Sequence, residues 1–291
     1  MAPASFQLCI EAKYDLMAEH LKNFGVWPEC SKLATLLGDI ARHHPGTHVR
    51  PGCKILDIGA NIGICTMTFA TMGYRVAAFE PLPRNVEMLE ASVRLNNLTV
   101  KRWGADAFSS ASSVVVFPGA LGATRGNGSL AYETTNSGSP EVFPEGAAVC
   151  DDRPNKDWVC QKESVQVETL DHLIGTWSHP AEPFCFAKMD AQGSEVNILR
   201  GAQESIRSQK ILALTFEWRP EGFTHHGHKD PLLPLRILHD AKYRIYGPVE
   251  WFAYSWPTDN WGETDWIEFG PNQFDDILKQ RGDILAIATG R

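Results

Sequence analysis

Four side chains able to take up a proton follow two apolar stretches in the second half of the chain. They are Asp190 after the first stretch, and Glu217, His225 and His226 at or beyond the end of the second. A carboxylate or an imidazole within reach of a hydroxyl group acts as a general base. Each residue also has a structural interpretation, which is a helix cap for Asp190, an ion pair with Arg219 for Glu217, and a polar loop for the histidines.

The same residues offer two less favoured metal sites. Asp190 and Glu217 supply the oxygen ligands that Mg²⁺ prefers. His225, His226 and His228 lie within four residues, but they lack the i, i+4 spacing of a histidine pair on a helix. We therefore predict a base at this position and assign no metal. Lys188 lies one strand alternation from Asp190 and is expected to form an ion pair with a neighbouring acid.

A glycine segment in the first half of the chain has the pattern of a nucleotide-binding turn. The stretch 55–63 reads ILDIGANIG, with Gly59 and Gly63 between an apolar run and a helical pattern. Such glycines let a ligand approach backbone N–H groups at the carboxyl edge of a parallel sheet. Glu80 ends the next apolar run, 23 residues after Asp57, where a carboxylate can bind both ribose hydroxyls. Asp57 either braces the loop or reaches the amino-acid end of a nucleoside ligand through water.

Apolar runs and helical patterns alternate along the chain, and these elements must position the candidate residues. The runs 54–58, 75–79, 114–118, 184–189, 211–217, 244–246 and 284–288 predict seven strands. Helical patterns cover 8–43, 64–72 and 83–95. This rhythm predicts an α/β fold with a doubly wound, mostly parallel, seven-stranded sheet and crossover helices.

Three regions fall outside that alternation. Residues 1–50 are predicted to form a helical N-terminal cap on a domain that spans 51–291. Residues 123–164 are rich in Gly, Ser and Glu and exceed an ordinary connection in length, so we interpret them as an insertion or lid. The segment 251–269 holds four tryptophans and is predicted to form a loop that closes a ligand site at the sheet edge. Packing behind the last strands is the alternative for these rings.

Six short motifs between residues 24 and 218 form a recognisable set. They read GVWPE at 25–29, LDIGANIG at 56–63, AFEP at 78–81, GALG at 119–122, TLD at 169–171 and KMDAQGSE at 188–195. As a set they resemble the FkbM family of class I S-adenosylmethionine-dependent methyltransferases, which share a Rossmann-like fold. Among the departures from the family pattern, the one that matters is Gln192, which stands where the family usually has Glu.

The resemblance implies S-adenosylmethionine as the cofactor and assigns a set of contacts to it. The implied cofactor-binding residues are Asp57, Gly59, Ala60, Asn61, Gly63, Glu80, Pro81, Ala120 and Leu121. Ala120 and Leu121 would lie beside the adenine ring, and Asp106 is the alternative adenine contact. The implied reaction is methyl transfer to a hydroxyl of a small molecule, such as a sugar or natural product.

Two other functions remain open at this point, and a third is disfavoured. The chain could methylate a small amine, or it could bind the cofactor as a catalytically degenerate scaffold. A nicotinamide-dependent dehydrogenase is disfavoured, because its fingerprint spaces the glycines as Gly-x-Gly-x-x-Gly. The glycines at 59 and 63 do not have that spacing.

Composition narrows the partners and the compartment. The 291 residues carry a formal net charge of −8, which argues against a general nucleic-acid partner. No apolar run is long enough to span a bilayer and the N-terminus lacks a secretory pattern, so we expect a cytoplasmic protein without a membrane partner. Seven scattered cysteines do not suggest a zinc site or a disulfide framework, although Cys150 and Cys160 could pair. The oligomeric state cannot be read from the sequence.

Overall fold

The computed structural model describes residues 5–10, 20–23, 25, 27–104, 114–133, 136–146, 160–176, 182–248 and 266–290. Eight helices in this part of the chain are α1 Pro28–His43, α2 Ile64–Thr71, α3 Pro83–Leu95, α4 Leu170–Gly175, α5 Glu195–Arg200, α6 Gln203–Arg207, α7 Pro220–His225 and α8 Leu233–Asp240. None of the described helices is long and apolar enough to cross a bilayer.

The strands of the described segments form two sheets. The main sheet contains β1 Lys54–Ile58, β2 Arg75–Phe79, β3 Val100–Arg102, β4 Val114–Phe117, β9 Phe184–Met189, β10 Ala213–Trp218, β11 Tyr243–Pro248, β12 Trp266–Phe269 and β13 Gly282–Ala288. The second sheet contains β5 Ala120–Leu121, β6 Gly126–Glu133, β7 Asn136–Pro144 and β8 Cys160–Glu168.

The main sheet has the order β12-β11-β13-β10-β9-β1-β2-β4-β3. Strands from β10 through β3 in this order pair in parallel, whereas β13, β11 and β12 pair antiparallel. The chain leaves β1 toward β2 on one side and later returns to β9 on the other. This change of direction opens a crevice at the carboxyl ends of β1 and β9, where ligands bind in doubly wound folds.

The prediction of an α/β fold with a mostly parallel sheet is confirmed, but the strand count of seven was wrong, because the main sheet has nine described strands. The two that the sequence did not indicate are the short edge strands β3 and β12, which contain exposed residues. A short, half-exposed strand carries no apolar run, so periodicity does not find it.

Apolar side chains cover both faces of the main sheet. Helices α1, α2 and α3 pack on one face, and α4, α5, α6, α7 and α8 pack on the other. All five residues of β1 are buried, as expected for a parallel strand covered on both sides. This packing fixes the crevice at the end of β1 on a rigid support.

The region 123–164, interpreted as an insertion or lid, contains sheet structure in its described part. Strands β6 and β7 form an antiparallel hairpin, and β8 pairs with β6. A small apolar cluster joins this sheet, through Ala120, Leu130, Tyr132 and Val165, to Leu82. The second sheet is therefore packed against the segment that follows β2.

The N-terminal helical pattern is only partly confirmed. Helix α1 lies inside the predicted range, but residues 5–10 are not helical. The segment 5–10 is tied instead to α3, where the Cys9 N–H donates to Ser92 Oγ at 2.8 Å. Leu8 and Ile10 pack against the core from this segment, although it is not helical.

The expectation that the cysteines do not form a disulfide framework was wrong. Cys30 of α1 is bonded to Cys65 of α2, and Cys53 before β1 is bonded to Cys185 of β9. The sequence separations of 35 and 132 residues hide these pairs from any local spacing rule. Cys150 lies outside the described residues. Stable disulfides are typical of oxidising compartments and rare in the cytosol. The two disulfides therefore count against the expected cytoplasmic location.

Candidate functional site

A cleft opens at the carboxyl ends of β1, β2 and β9. Its lining residues from the central strands and their loops are Ile58, Gly59, Asn61, Phe79, Glu80, Pro81, Asp190, Ala191, Gln192, Ser194 and Ile198. Gly119, Ala120, Leu121, Pro140 and Val142 complete the lining from the side of the second sheet.

The glycines at the end of β1 are required by protein packing. Gly59 has φ +74°, and a Cβ there would lie 1.8 Å from the carbonyl oxygen of Asp190. Gly63 has φ +90°, and a Cβ there would lie 2.8 Å from Leu89 Cγ. Backbone without a side chain is therefore needed where the loop meets β9 and where α2 meets α3. These contacts explain why the two positions are glycine without any need for a ligand to approach the backbone there.

The backbone N–H groups of the glycine loop are already bonded within the protein. Those of Gly59 and Ala60 both donate to the Phe79 carbonyl at 3.0 Å. The N–H of Asn61 donates to Glu80 Oε2 at 2.8 Å, and that of Gly63 donates to the Ala60 carbonyl at 2.9 Å. The loop is thus held rigidly, and a ligand in the cleft meets its surface and the Glu80 carboxylate rather than a set of open donors.

Glu80 is the buried acid that joins the glycine loop to the start of α3. Its side chain is 1% exposed, and Oε1 accepts from the Leu82 N–H at 3.0 Å and from Asn85 Nδ2 at 3.3 Å. With the bond from Asn61, three donors hold the carboxylate. A carboxylate has about four acceptor positions, so capacity remains for a ligand. Burial raises the pKa of Glu80 to about 7, although the hydrogen bonds oppose that shift.

Asp57 is braced inside the protein and does not line the cleft. Its side chain is 0% exposed, and Oδ2 accepts from Thr66 Oγ1 at 2.5 Å. Its Oδ1 lies 3.7 Å from Lys188 Nζ. Burial raises the pKa of Asp57, while the Lys188 ammonium opposes that rise. Of the two roles expected for Asp57, the structure shows the brace.

Lys188 is a buried cation shared by several acids, as the sequence predicted. Its Nζ donates to the Gly59 carbonyl at 2.9 Å and lies 3.8 Å from Asp190 Oδ2 and 3.9 Å from Glu29 Oε1. Burial alone would lower the pKa of Lys188, but Glu29, Asp190 and Asp57 together raise it above its usual value. The ammonium therefore stays charged and fixes the loop against the end of β9.

Three carboxyl groups lie together beside the cleft. One oxygen from each of Asp190, Glu195 and Glu217 lies within 4.8 Å of the others. Burial, followed by the charge of Asp190, raises the pKa of Glu217 to about 9, and the Arg219 guanidinium 3.8 Å away opposes that rise. Burial raises the pKa of Glu195 to about 7. The sequence indicated Asp190 and Glu217, including the proximity of Glu217 to Arg219, but it did not indicate Glu195.

The two histidines lie at the end of α7, against the hairpin of the second sheet. The rings of His226 and Phe143 stack with centroids 4.6 Å apart. Glu141 Oε2 lies 3.6 Å from His225 Nε2 and 3.8 Å from His226 Nε2. The side chain of His226 is 2% exposed, and burial lowers its pKa. Neither histidine lines the cleft.

The predicted site residues therefore separate into two groups. Those that line the cleft are Gly59, Asn61, Glu80, Pro81, Ala120, Leu121 and Asp190, whereas Asp57, Ala60, Gly63, Glu217, His225 and His226 stand behind or beside it. Asp106 and residues 251–265 lie outside the described residues. Trp266 begins the edge strand β12 and packs against the core, so this part of the aromatic segment is not a loop.

Two lining residues from the hairpin, Pro140 and Val142, had no signal in the sequence. They reach the cleft because β7 folds back over the sheet edge, which is a contact between distant parts of the chain. In the turn after β9, Gln192 and Gly193 adopt positive φ values of 52° and 97°. The sequence indicated this turn only in part, through the glycine at position 193. A non-glycine residue with positive φ is uncommon and often marks a functional turn.

Comparison with known proteins gives one family match. The model of the methyltransferase FkbM domain matches residues 57–245, which is more than half of the chain. No curated protein matches the sequence.

Three solved structures illustrate the structural comparison. The precorrin-6y C5,15-methyltransferase of Geobacter metallireducens is 10% identical, with 89% of this chain and 88% of that chain covered and a TM-score of 0.37. Fibrillarin of Aeropyrum pernix, solved with bound S-adenosyl-L-methionine, is 12% identical over 82% and 67% of the two chains, with a TM-score of 0.38. The bifunctional kinase-methyltransferase WbdD is 11% identical over 97% of this chain, with a TM-score of 0.46, and the match spans 45% of its own length.

The family match covers the glycine loop, Glu80, the turn after β9 and the end of β10, which are the elements that build the cleft and the acidic cluster. The chain belongs to the FkbM methyltransferase domain family and is an S-adenosylmethionine-dependent methyltransferase.

Proposed function

We propose that the protein transfers the methyl group of S-adenosylmethionine to a hydroxyl group of a small molecule. The observation that carries this proposal is that Glu80 and Asp190 both line the same cleft. Glu80 is a buried carboxylate suited to a ribose, and Asp190 is a partly exposed carboxylate suited to a proton.

In this proposal the donor lies along the carboxyl ends of β1 and β2. Glu80, beside Pro81, would accept a hydrogen bond from a ribose hydroxyl, and Ala120 and Leu121 would contact the adenine ring. The surface of the loop at Gly59 and Asn61 supports the amino-acid end. Asp57, Ala60 and Gly63 do not line the cleft. Their proposed role is to hold the loop in the conformation that binds the donor.

The chemistry is an in-line displacement that the protein promotes by positioning and by excluding water. The acceptor oxygen forms a bond to the methyl carbon while the bond from sulfur to that carbon breaks, and the electron pair stays on sulfur. The hydroxyl proton passes to a carboxylate. Asp190 is the candidate base that reaches the cleft, where its side chain is 29% exposed.

The other three candidate bases are less well placed. Glu217 has a pKa raised to about 9, so it keeps its proton at neutral pH and does not accept another. His226 is enclosed by Phe143 and by the Gly193 backbone, where a Cβ would lie 2.6 Å from the ring. His225 is 55% exposed but does not line the cleft. The proposed role of His225 and His226 is to hold the turn after β9 against the hairpin.

The charge of the protein supports a small acceptor, because the net charge of −8 disfavours a nucleic acid. Pro140 and Val142 give the hairpin side an apolar surface. A sugar or natural product with an apolar face fits this lining.

The test is a methyl-transfer screen with isotopically labelled donor over sugars, polyketides and amines, with products identified by mass spectrometry. We expect an O-methylated product, and a loss of rate of roughly 10²–10⁴ in Asp190→Asn with donor affinity retained. The matched control is Glu182→Gln, an exposed acid that pairs with Arg75 away from the cleft. Exclusive N-methylation, or full turnover in Asp190→Asn, would contradict the proposal, as would donor binding without any transfer.

A further inference from the structure

Asp190, Glu195 and Glu217 come from three separate elements and converge on one point. Asp190 directly follows β9, Glu195 begins α5, and Glu217 lies near the end of β10. One oxygen from each carboxyl group lies within 4.8 Å of the others. Adjacent parallel strands bring their carboxyl ends to one edge, so the sheet itself holds this arrangement.

Glu195 supplies a second observation that does not depend on the clustering. Its side chain is 1% exposed, and Oε1 accepts from the Ala191 N–H at 2.8 Å. Its other oxygen, Oε2, is buried and accepts no hydrogen bond from the described residues. Burial of a carboxylate oxygen without a hydrogen-bond donor costs free energy, because the oxygen loses its hydrogen bonds to water and forms none in the protein. A ligand with positive charge at this point would remove that cost.

The cations of the protein do not meet this need. Lys188 Nζ lies 3.8 Å from Asp190 but gives its hydrogen bond to the Gly59 carbonyl. The Arg219 guanidinium lies 3.8 Å from Glu217. Within the described segments, no ion pair includes Glu195. Two of the three acids thus have a distant basic partner, and the most buried one has none.

We propose that Asp190, Glu195 and Glu217 bind one divalent cation of the Mg²⁺ or Mn²⁺ class. Carboxylate oxygens are the ligands these hard cations prefer, and such ions commonly keep several waters or substrate oxygens in their remaining positions. Asp190 lines the cleft, so an ion held by these residues would lie beside it. The ion is therefore suited to bind an oxygen of the acceptor.

This inference rests on the proposed function and adds a role for the acceptor site. An acceptor hydroxyl bound to a divalent cation loses its proton more readily than a free one. The proton then passes to the oxygen of Asp190 that does not bind the ion, or to water. The proposed ion site also predicts an acceptor with two neighbouring oxygens, because a chelating diol or hydroxy-ketone fills two coordination positions of the ion at once.

The test measures metal binding directly and needs no acceptor. The full-length protein is stripped with EDTA and dialysed, and Mn²⁺ is titrated at neutral pH while free Mn²⁺ is followed by electron paramagnetic resonance. We expect one saturable Mn²⁺ per chain, displaced by Mg²⁺. Glu195→Gln, Glu217→Gln and Asp190→Asn should each raise the dissociation constant at least about tenfold, and Glu182→Gln should leave it unchanged.

Absence of saturable Mn²⁺ binding by the unmodified protein would overturn the site, and so would an unchanged dissociation constant in folded Glu195→Gln. Circular dichroism establishes that each variant is folded, and the titration of the unmodified protein decides the matter if a variant is not. Methyl transfer that proceeds without Mn²⁺ binding would refute the ion and keep the proposed function. Mn²⁺ binding by a protein that transfers no methyl group would keep the ion site and refute the proposed function.

Discussion

Replacement of Glu80 by Gln should weaken binding of S-adenosylmethionine by about 10- to 10²-fold. The Glu80 carboxylate accepts three hydrogen bonds from the protein and retains about one acceptor position toward the cleft. A ribose hydroxyl bound to a charged group contributes about 1.5–3 kcal/mol. Loss of that bond corresponds to about one to two orders of magnitude in the dissociation constant.

The pH dependence of binding should carry the same signature. Because burial raises the pKa of Glu80 to about 7, the unliganded protein is protonated there below that pH. A ribose that donates to the carboxylate favours the ionised form, so affinity should rise as the pH increases through about 7 and then level off. Below pH 7 the dissociation constant should increase up to about tenfold for each pH unit. Glu80→Gln should abolish this dependence.

Isothermal titration calorimetry with the donor and its demethylated product, from pH 5.5 to 8.5 in roughly half-unit steps, measures both effects. The matched control is Glu90→Gln on α3, the helix that follows Glu80, because Glu90 is also buried but binds Arg94 and Arg102 away from the cleft. The control should leave affinity and its pH dependence unchanged. Equal affinity in folded Glu80→Gln, or an affinity of the unmodified protein that does not change with pH, would refute the assignment of Glu80 to the ribose.

Three further predictions concern the loop, the histidines and the disulfides. Gly59→Ala should lower the free energy of unfolding by at least about 1–3 kcal/mol, because its Cβ would lie 1.8 Å from the Asp190 carbonyl oxygen; an unchanged melting temperature would contradict this. His225→Ala should retain methyl transfer, because its side chain does not line the cleft; a drop of 10² or more in kcat with the fold intact would identify it as a base. Cys30→Ser should lower stability by about 2–4 kcal/mol, because it opens the bond to Cys65; equal denaturant midpoints with and without reductant in the unmodified protein would contradict the pairing.

The sequence predicted the buried centre of the sheet well, because a strand covered on both faces must be apolar along its whole length. β1, β2 and β9 were predicted with the bounds observed. The edges were missed for the opposite reason, since β3 and β12 have exposed positions. The second sheet was missed because β6 and β7 are rich in small and polar residues, whose pairing depends on contacts outside the strands.

The candidate site shows the same division between local and distant information. Glu80 and Asp190 follow apolar strands directly, so their place at the sheet edge could be read from the sequence. Glu195 and Val142 could not, because their roles come from packing between separate segments. The glycines were identified correctly, but the structure assigns them to close packing against Asp190 and Leu89. A pattern identifies a required residue type more readily than the reason for it.

The most direct test of the account is a crystal structure of the protein with S-adenosylhomocysteine, which retains the ribose and adenine of the donor. The account predicts electron density in the cleft at the ends of β1 and β2, with a ribose hydroxyl on Glu80, the adenine beside Ala120 and Leu121, and the sulfur directed toward Asp190. Density for the nucleoside elsewhere on the protein, or a ribose turned away from Glu80 within this cleft, would contradict it.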